Sequence, residues 1–170
     1  MNSIFTISKK EMFPIGLILF LTLFRLIPHP WNFTPIIAVA IMSSFLFRNI
    51  YLSLLVLLFS MFLADLFLGF YKSMFFTYAS LFLITFVFFS INKKINAKSL
   101  FIFGFFGALI FYLISNFGVW MLSGMYEKNL NGLVTCYILA IPFFKNTLMS
   151  TIIFSYIAFF ANNFYKKKFA

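Results

Sequence analysis

The sequence predicts an all-α, polytopic integral membrane protein with six transmembrane helices and both termini in the cytoplasm. Three observations carry this prediction. Hydrophobic residues make up 64% of the 170 residues, charged residues only 9%, and the mean hydropathy is +1.05. A soluble domain of this size has no interior able to hide so much apolar surface, so the solvent is lipid. The apolar sequence also falls into six runs separated by short polar breaks, and the basic residues cluster at one set of run ends. Residues 1–170 therefore read as a single membrane domain with neither a soluble module nor a linker.

A spanning helix needs roughly 20 apolar residues, with about 17 to 25 tolerated. The first run, 13–27, is slightly short and is stopped by Pro28. The second, 35–47, is the shortest and is expected to tilt or to span incompletely. The third covers 51–70, the fourth 74–91 and the fifth 100–122. The last, 133–161, is long and is interrupted by Pro142, Lys145 and Asn146. A proline at that depth frees backbone carbonyls, so the run is expected to be interrupted there, as a broken helix of the transporter kind or as a plain proline kink. A five-span reading, with the second run re-entrant, is the main competitor.

Charge decides between the two. Lys9, Lys10, Arg48, Lys93, Lys94, Lys98, Lys166, Lys167 and Lys168 fall on the side of the termini, against Lys72 and Lys128 on the other. Cytoplasmic loops hold the excess of Lys and Arg, so the termini are cytoplasmic. An odd number of spans would place the two basic termini on opposite sides of the membrane. The expected location is a bacterial cytoplasmic membrane, the source being suggested by the Ile-, Asn-, Lys- and Phe-rich composition. The net charge of +10 is accounted for by membrane orientation, and no nucleic-acid partner is expected.

The most unusual stretch joins the first two runs. Phe24 to Pro35 (FRLIPHPWNFTP) holds the only His, three of the five Pro, one of the two Trp and one of the two Arg. Prolines fix φ and restrict their predecessors, so this loop is expected to be stiff. With the orientation fixed, the remaining polar residues can be placed by depth. Arg25 lies near the outer end of helix one, and Asp65 about one and a half turns below the outer end of helix three. Asn116 and Trp120 share one face at the outer end of helix five through their i, i+4 spacing. Thr77, Tyr78 and Ser80 fall in the outer half of helix four, and Cys136 and Tyr137 in the outer third of helix six. Lys145 and Asn146 follow about 18 Å below the start of that helix.

A charge at the bilayer centre costs about 2.5–3.5 kcal/mol on insertion scales, so such a residue faces a partner or a water-filled cavity. Arg25 and Asp65, at similar depth, form a structural pair, line a pocket, or do both. Lys145 is too deep to snorkel easily and is expected to be functional. The candidate substrate-binding residues are Arg25, His29, Trp31, Asn32, Asp65, Asn116, Trp120, Lys145 and Asn146. Each has a plainer reading: His29 as a rim residue, the two Trp as interfacial belt residues, and Cys136 as a small apolar filler.

Some classes are disfavoured. One Cys excludes an intramolecular disulfide and a Cys-based metal cluster, and a lone His is a poor metal ligand, so no metal and no cofactor are expected. No Gly-rich phosphate loop is present, and no nucleophile–base pair has catalytic spacing, so the chain is not expected to be an enzyme.

Four segments carry a resemblance: Arg25 to Pro35 (RLIPHPWNFTP), Ala64 to Tyr71 (ADLFLGFY), Ser115 to Trp120 (SNFGVW) and Gly132 to Leu148 (GLVTCYILAIPFFKNTL). In order and content they resemble an uncharacterised family of small bacterial membrane proteins grouped with the substrate-binding S components of energy-coupling factor (ECF) vitamin transporters. The resemblance implies a six-helix protein that binds a small nutrient from outside. It also implies partners, namely a coupling membrane subunit and two ATPases. The leading expectation is thus a binding component for uptake of a small, aromatic or anionic micronutrient. The alternative is a structural or assembly subunit of an envelope complex, whose polar residues pair among themselves and leave no cavity.

Overall fold

A computed structural model describes residues 9–47, 49–91 and 95–169, and over these the chain is all-helical. Arg48, Lys93 and Lys94, which carry part of the charge asymmetry, lie outside the described residues, as do the side chains of Lys9 and Lys10. Six α-helices run up and down: α1 (Lys9–Leu23), α2 (Ile36–Leu46), α3 (Ile50–Leu68), α4 (Met74–Ile91), α5 (Ala97–Leu122) and α6 (Leu130–Phe169).

The helix boundaries follow local chemistry. α1 begins before the apolar run, because a helical turn needs backbone hydrogen bonds rather than apolar side chains. It tightens into a 3-10 turn at Phe24–Leu26 and then becomes extended at Ile27 (φ −85°, ψ 138°), the conformation Pro28 imposes on its predecessor. Asn49 caps α3 by accepting from the Tyr51 amide at 2.8 Å. α3 stops at Leu68 because Gly69 takes φ +89°, a backbone state that ends helices and that side-chain-bearing residues avoid. α5 starts at Ala97, three residues before the apolar run, on a reciprocal capping box between Asn96 and Ser99.

Two expectations are corrected. Six helices are present, but only four of those described, α3 to α6, are long and apolar enough to cross a membrane. α1 has 15 residues and α2 only 11. The reason lies in packing. Ile36 to Ser44 of α2 are all buried, and α2 packs against every other helix of the bundle. A helix apolar all round and shielded by protein has no bilayer thickness to match. The second apolar run is thus core rather than a lipid-facing span. The second correction concerns α6, which runs without interruption through Pro142 for 40 residues. The ring removes one hydrogen bond, and the helix is held on both sides of it by its neighbours.

Small polar groups link neighbouring helices, two of them to α2. Ser53 of α3 donates to the Ser43 carbonyl at 3.0 Å, and Thr85 of α4 donates to the Ala40 carbonyl at 3.1 Å. Thr22 of α1 meets Ser60 of α3 at 3.2 Å. Such bonds contribute about 0.6 kcal/mol each in a membrane bundle. Gly107 lets α5 approach α2 closely: a Cβ there would lie 2.8 Å from Ile41 Cδ1.

The consequence for the site is geometric. At ~1.5 Å per residue, α2 is only about 16 Å long, roughly half the hydrocarbon thickness. The helices around it have 15 to 40 residues. Beyond the start of α2 the bundle is therefore bordered by the 27–35 loop, through Asn32 and Thr34, rather than by α2 itself.

Candidate functional site

A cavity of about 290 Å³ occupies that position, at the end of the bundle holding the 27–35 loop. Arg25 of the 3-10 turn, Asn32 and Thr34 of the loop, and Ile36 at the start of α2 form one side. Tyr71 and Ser73 of the α3–α4 connection and Thr77 of α4 form the second. α5 contributes Phe111, Tyr112, Ser115, Asn116 and Val119, and α6 contributes Ala140, Phe143, Phe144 and Thr147.

Charge enters only at Arg25. Its Nη2 lies 2.7 Å from Asp65 Oδ1, and Nη1 reaches Met61 Sδ at 3.6 Å. Asp65 is fully buried and is absent from the cavity wall. Its other oxygen, Oδ2, accepts from the Tyr78 hydroxyl at 2.7 Å. Arg25 is thus compensated from behind while facing the cavity. Burial beside this cluster pushes the Tyr71 phenol above its ordinary pKa, so it remains a protonated group at neutral pH.

The wall of α5 and α6 has a different polarity. Tyr112 donates to the Tyr137 carbonyl at 2.5 Å, Ser115 to Phe111 at 2.6 Å and Thr147 to Phe143 at 2.9 Å. A hydroxyl has one proton, so these three oxygens are left as acceptors. Asn116 Nδ2 donates to the Tyr112 carbonyl at 2.8 Å, which orients the amide.

The nine candidate residues separate into groups. Arg25, Asn32 and Asn116 line the cavity, and Asp65 backs Arg25. Asn146 does not line it but donates to the Trp31 carbonyl at 3.0 Å, fastening the loop to α6. The other four are elsewhere. Lys145 is exposed on the outer surface of α6. Trp31 is 81% exposed. Trp120 donates to the Glu127 carbonyl at 2.9 Å, and Lys128 sits 5.5 Å from its ring centroid, so it belongs to the α5–α6 connection. His29 is exposed, with Nδ1 2.5 Å from the Ile27 carbonyl, and borders a separate apolar hollow with Phe24, Phe33 and Phe154. Among the described residues, no group of three or more His, Cys, Asp or Glu converges.

Tyr71, Tyr78, Thr77, Ser115 and Thr147 were not anticipated as site residues. For Tyr78 and Thr77 the signal was available, since both fall at the depth of Asp65 on the adjoining helix.

Fold and cavity together define a multi-pass helical membrane protein with a polar chamber between its helices. The chain belongs to a family of unknown function, DUF6580, whose family model matches residues 5–170. The family match assigns no function and contains nothing on ECF S components. No curated protein and no solved structure matches the chain.

Proposed function

We propose that this protein is the membrane-embedded substrate-binding component of an uptake system for a small, vitamin-like micronutrient. In this reading all six helices form the membrane domain of a bacterial cytoplasmic membrane, α1 and α2 spanning it only in combination with the loop. The charge asymmetry of the sequence supports cytoplasmic termini. The end holding the 27–35 loop then faces outward, and the cavity takes its ligand from outside. A coupling membrane subunit with ATPases, as the sequence resemblance implies, would supply the energy.

The observation that carries the reading is the cavity itself. It holds about 290 Å³ and has a polar lining on three helices and two connections, with a compensated Arg in its wall. Small-molecule sites are concave, occur between helices of bundles and combine apolar walls with a few convergent polar groups. A subunit serving assembly alone gains nothing from an unfilled polar chamber at this depth, where empty space forgoes packing. The purified full-length protein is expected to retain or bind a small molecule by native mass spectrometry, and Ala140→Leu, which intrudes into the chamber, to weaken that binding without loss of fold. Absence of any retained molecule, with no binding across a panel of water-soluble vitamins, would overturn the proposal.

A further inference from the structure

We infer that the chamber is built for a net-uncharged ligand with a hydrogen-bond acceptor at one end and N–H or O–H donors at the other. A carboxamide- or hydroxyl-bearing heteroaromatic is the simplest such chemistry. The inference rests on the binding reading above and narrows its substrate class, removing the anionic ligands that Arg25 and Lys145 suggest in the sequence.

The first argument is net charge. Lys145, Lys72, Lys128 and His29 all lie outside the lining, which leaves Arg25 as its only charged residue. Asp65, fully buried, stands 2.7 Å behind it. Moving an anion from water into this interior requires an opposite charge not already spent, because desolvation is costly and a neutralised partner returns little. A cation fares no better, since no carboxylate reaches the wall.

The second argument is the sorting of donors and acceptors. Arg25 is a donor-only group. The neighbouring start of α2, whose Ile36 lines the chamber, has Pro35 at its N-cap and no capping side chain. It adds the partial positive end of a helix. On the α5 and α6 walls of the chamber, the Tyr112, Ser115 and Thr147 hydroxyls have given their protons to main-chain carbonyls, and their oxygens remain as acceptors. A carboxylate, which only accepts, would satisfy the Arg25 side and leave this wall unpaired. An amide satisfies both. Phe111, Phe143 and Phe144 supply apolar walls suited to a ring.

The test uses the full-length protein in detergent with two isosteric sets: nicotinamide, nicotinate and 3-picolylamine, and benzamide, benzoate and benzylamine. Native mass spectrometry of co-purified molecules runs alongside. The expected result is that the neutral member of a set binds at least about tenfold more tightly than its anion and cation, or that the retained molecule is net-uncharged. Asp65→Asn, which removes the compensating charge, is expected to shift preference toward the anion, with Tyr78→Phe as the control that keeps the charge. Preference for an anion or cation in the unaltered protein, or an anionic retained molecule, overturns the inference while leaving the binding function standing. No binding by any probe and no retained molecule overturns both.

Discussion

Asn146 of α6 donates its side-chain amide to the main-chain carbonyl of Trp31, so a residue deep in the last helix holds the loop between the first two. Asn146 lies sixteen residues after Leu130, the first residue of α6, or about 24 Å along the helix. The loop is therefore drawn down into the bundle, with Asn32 in a left-handed backbone state (φ 60°) at its turn.

Replacing Asn146 with Ala is expected to loosen that loop selectively. One hydrogen bond is worth ~1 kcal/mol. Hydrogen exchange should accelerate for amides in residues 29–34, with little change in α3 or α4 and a small fall in Tm.

Arg25 and Asp65 should be strongly coupled. Arg25→Ala or Asp65→Ala alone leaves an uncompensated charge in an apolar interior, at a cost of about 3–5 kcal/mol. The double change Arg25→Met with Asp65→Leu is expected to restore most of the thermal stability and to abolish ligand binding. A double-mutant cycle measured by thermal unfolding in detergent checks the coupling, and additive effects would contradict it.

Glycines at the α5 packing surfaces should rank by what surrounds them. A Cβ on Gly118 meets Phe76 Cβ at 2.5 Å, while one on Gly107 meets the flexible end of Ile41 at 2.8 Å. Ala gains about 0.8–1 kcal/mol over Gly in helix propensity, enough to offset much of the strain at Gly107. Gly118→Ala should therefore lower Tm more than Gly107→Ala.

The orientation is open to direct labelling. In a Cys136→Ser background, Lys72→Cys and Lys128→Cys should react with a membrane-impermeant maleimide added to intact cells, and Lys98→Cys only after lysis. The reverse pattern would invert the topology and turn the chamber to the cytoplasm.

These particulars show what the sequence could and could not express. The Arg25–Asp65 pair was legible because two opposite charges at one depth in apolar helices have few alternatives to each other. The direction of Lys145 was not. In a bilayer both the lipid-facing and core-facing sides of a helix are apolar, so periodicity cannot say which way a single residue points. Trp120 and Trp31 fail for a related reason, since the Trp120 ring bonds the Glu127 main-chain carbonyl and Trp31 engages Asn146 through its own main-chain carbonyl, which no side-chain pattern records. The chamber lay outside sequence reading too, because its lining hydroxyls are ordinary Ser, Thr and Tyr of five different segments. The second run's shortness was visible, whereas its burial among five neighbours depended on where the others pack.

That shortness has an evolutionary corollary. The chamber exists where α2 has not yet begun, so its depth is a count of residues as much as a choice of side chains. Four residues added ahead of Ile36 would lengthen the helix by one turn, about 5.4 Å, and would plug the chamber while leaving every wall residue unchanged. Across related chains, insertions and deletions between Pro30 and Ile36 should therefore track ligand size more faithfully than substitutions in the wall.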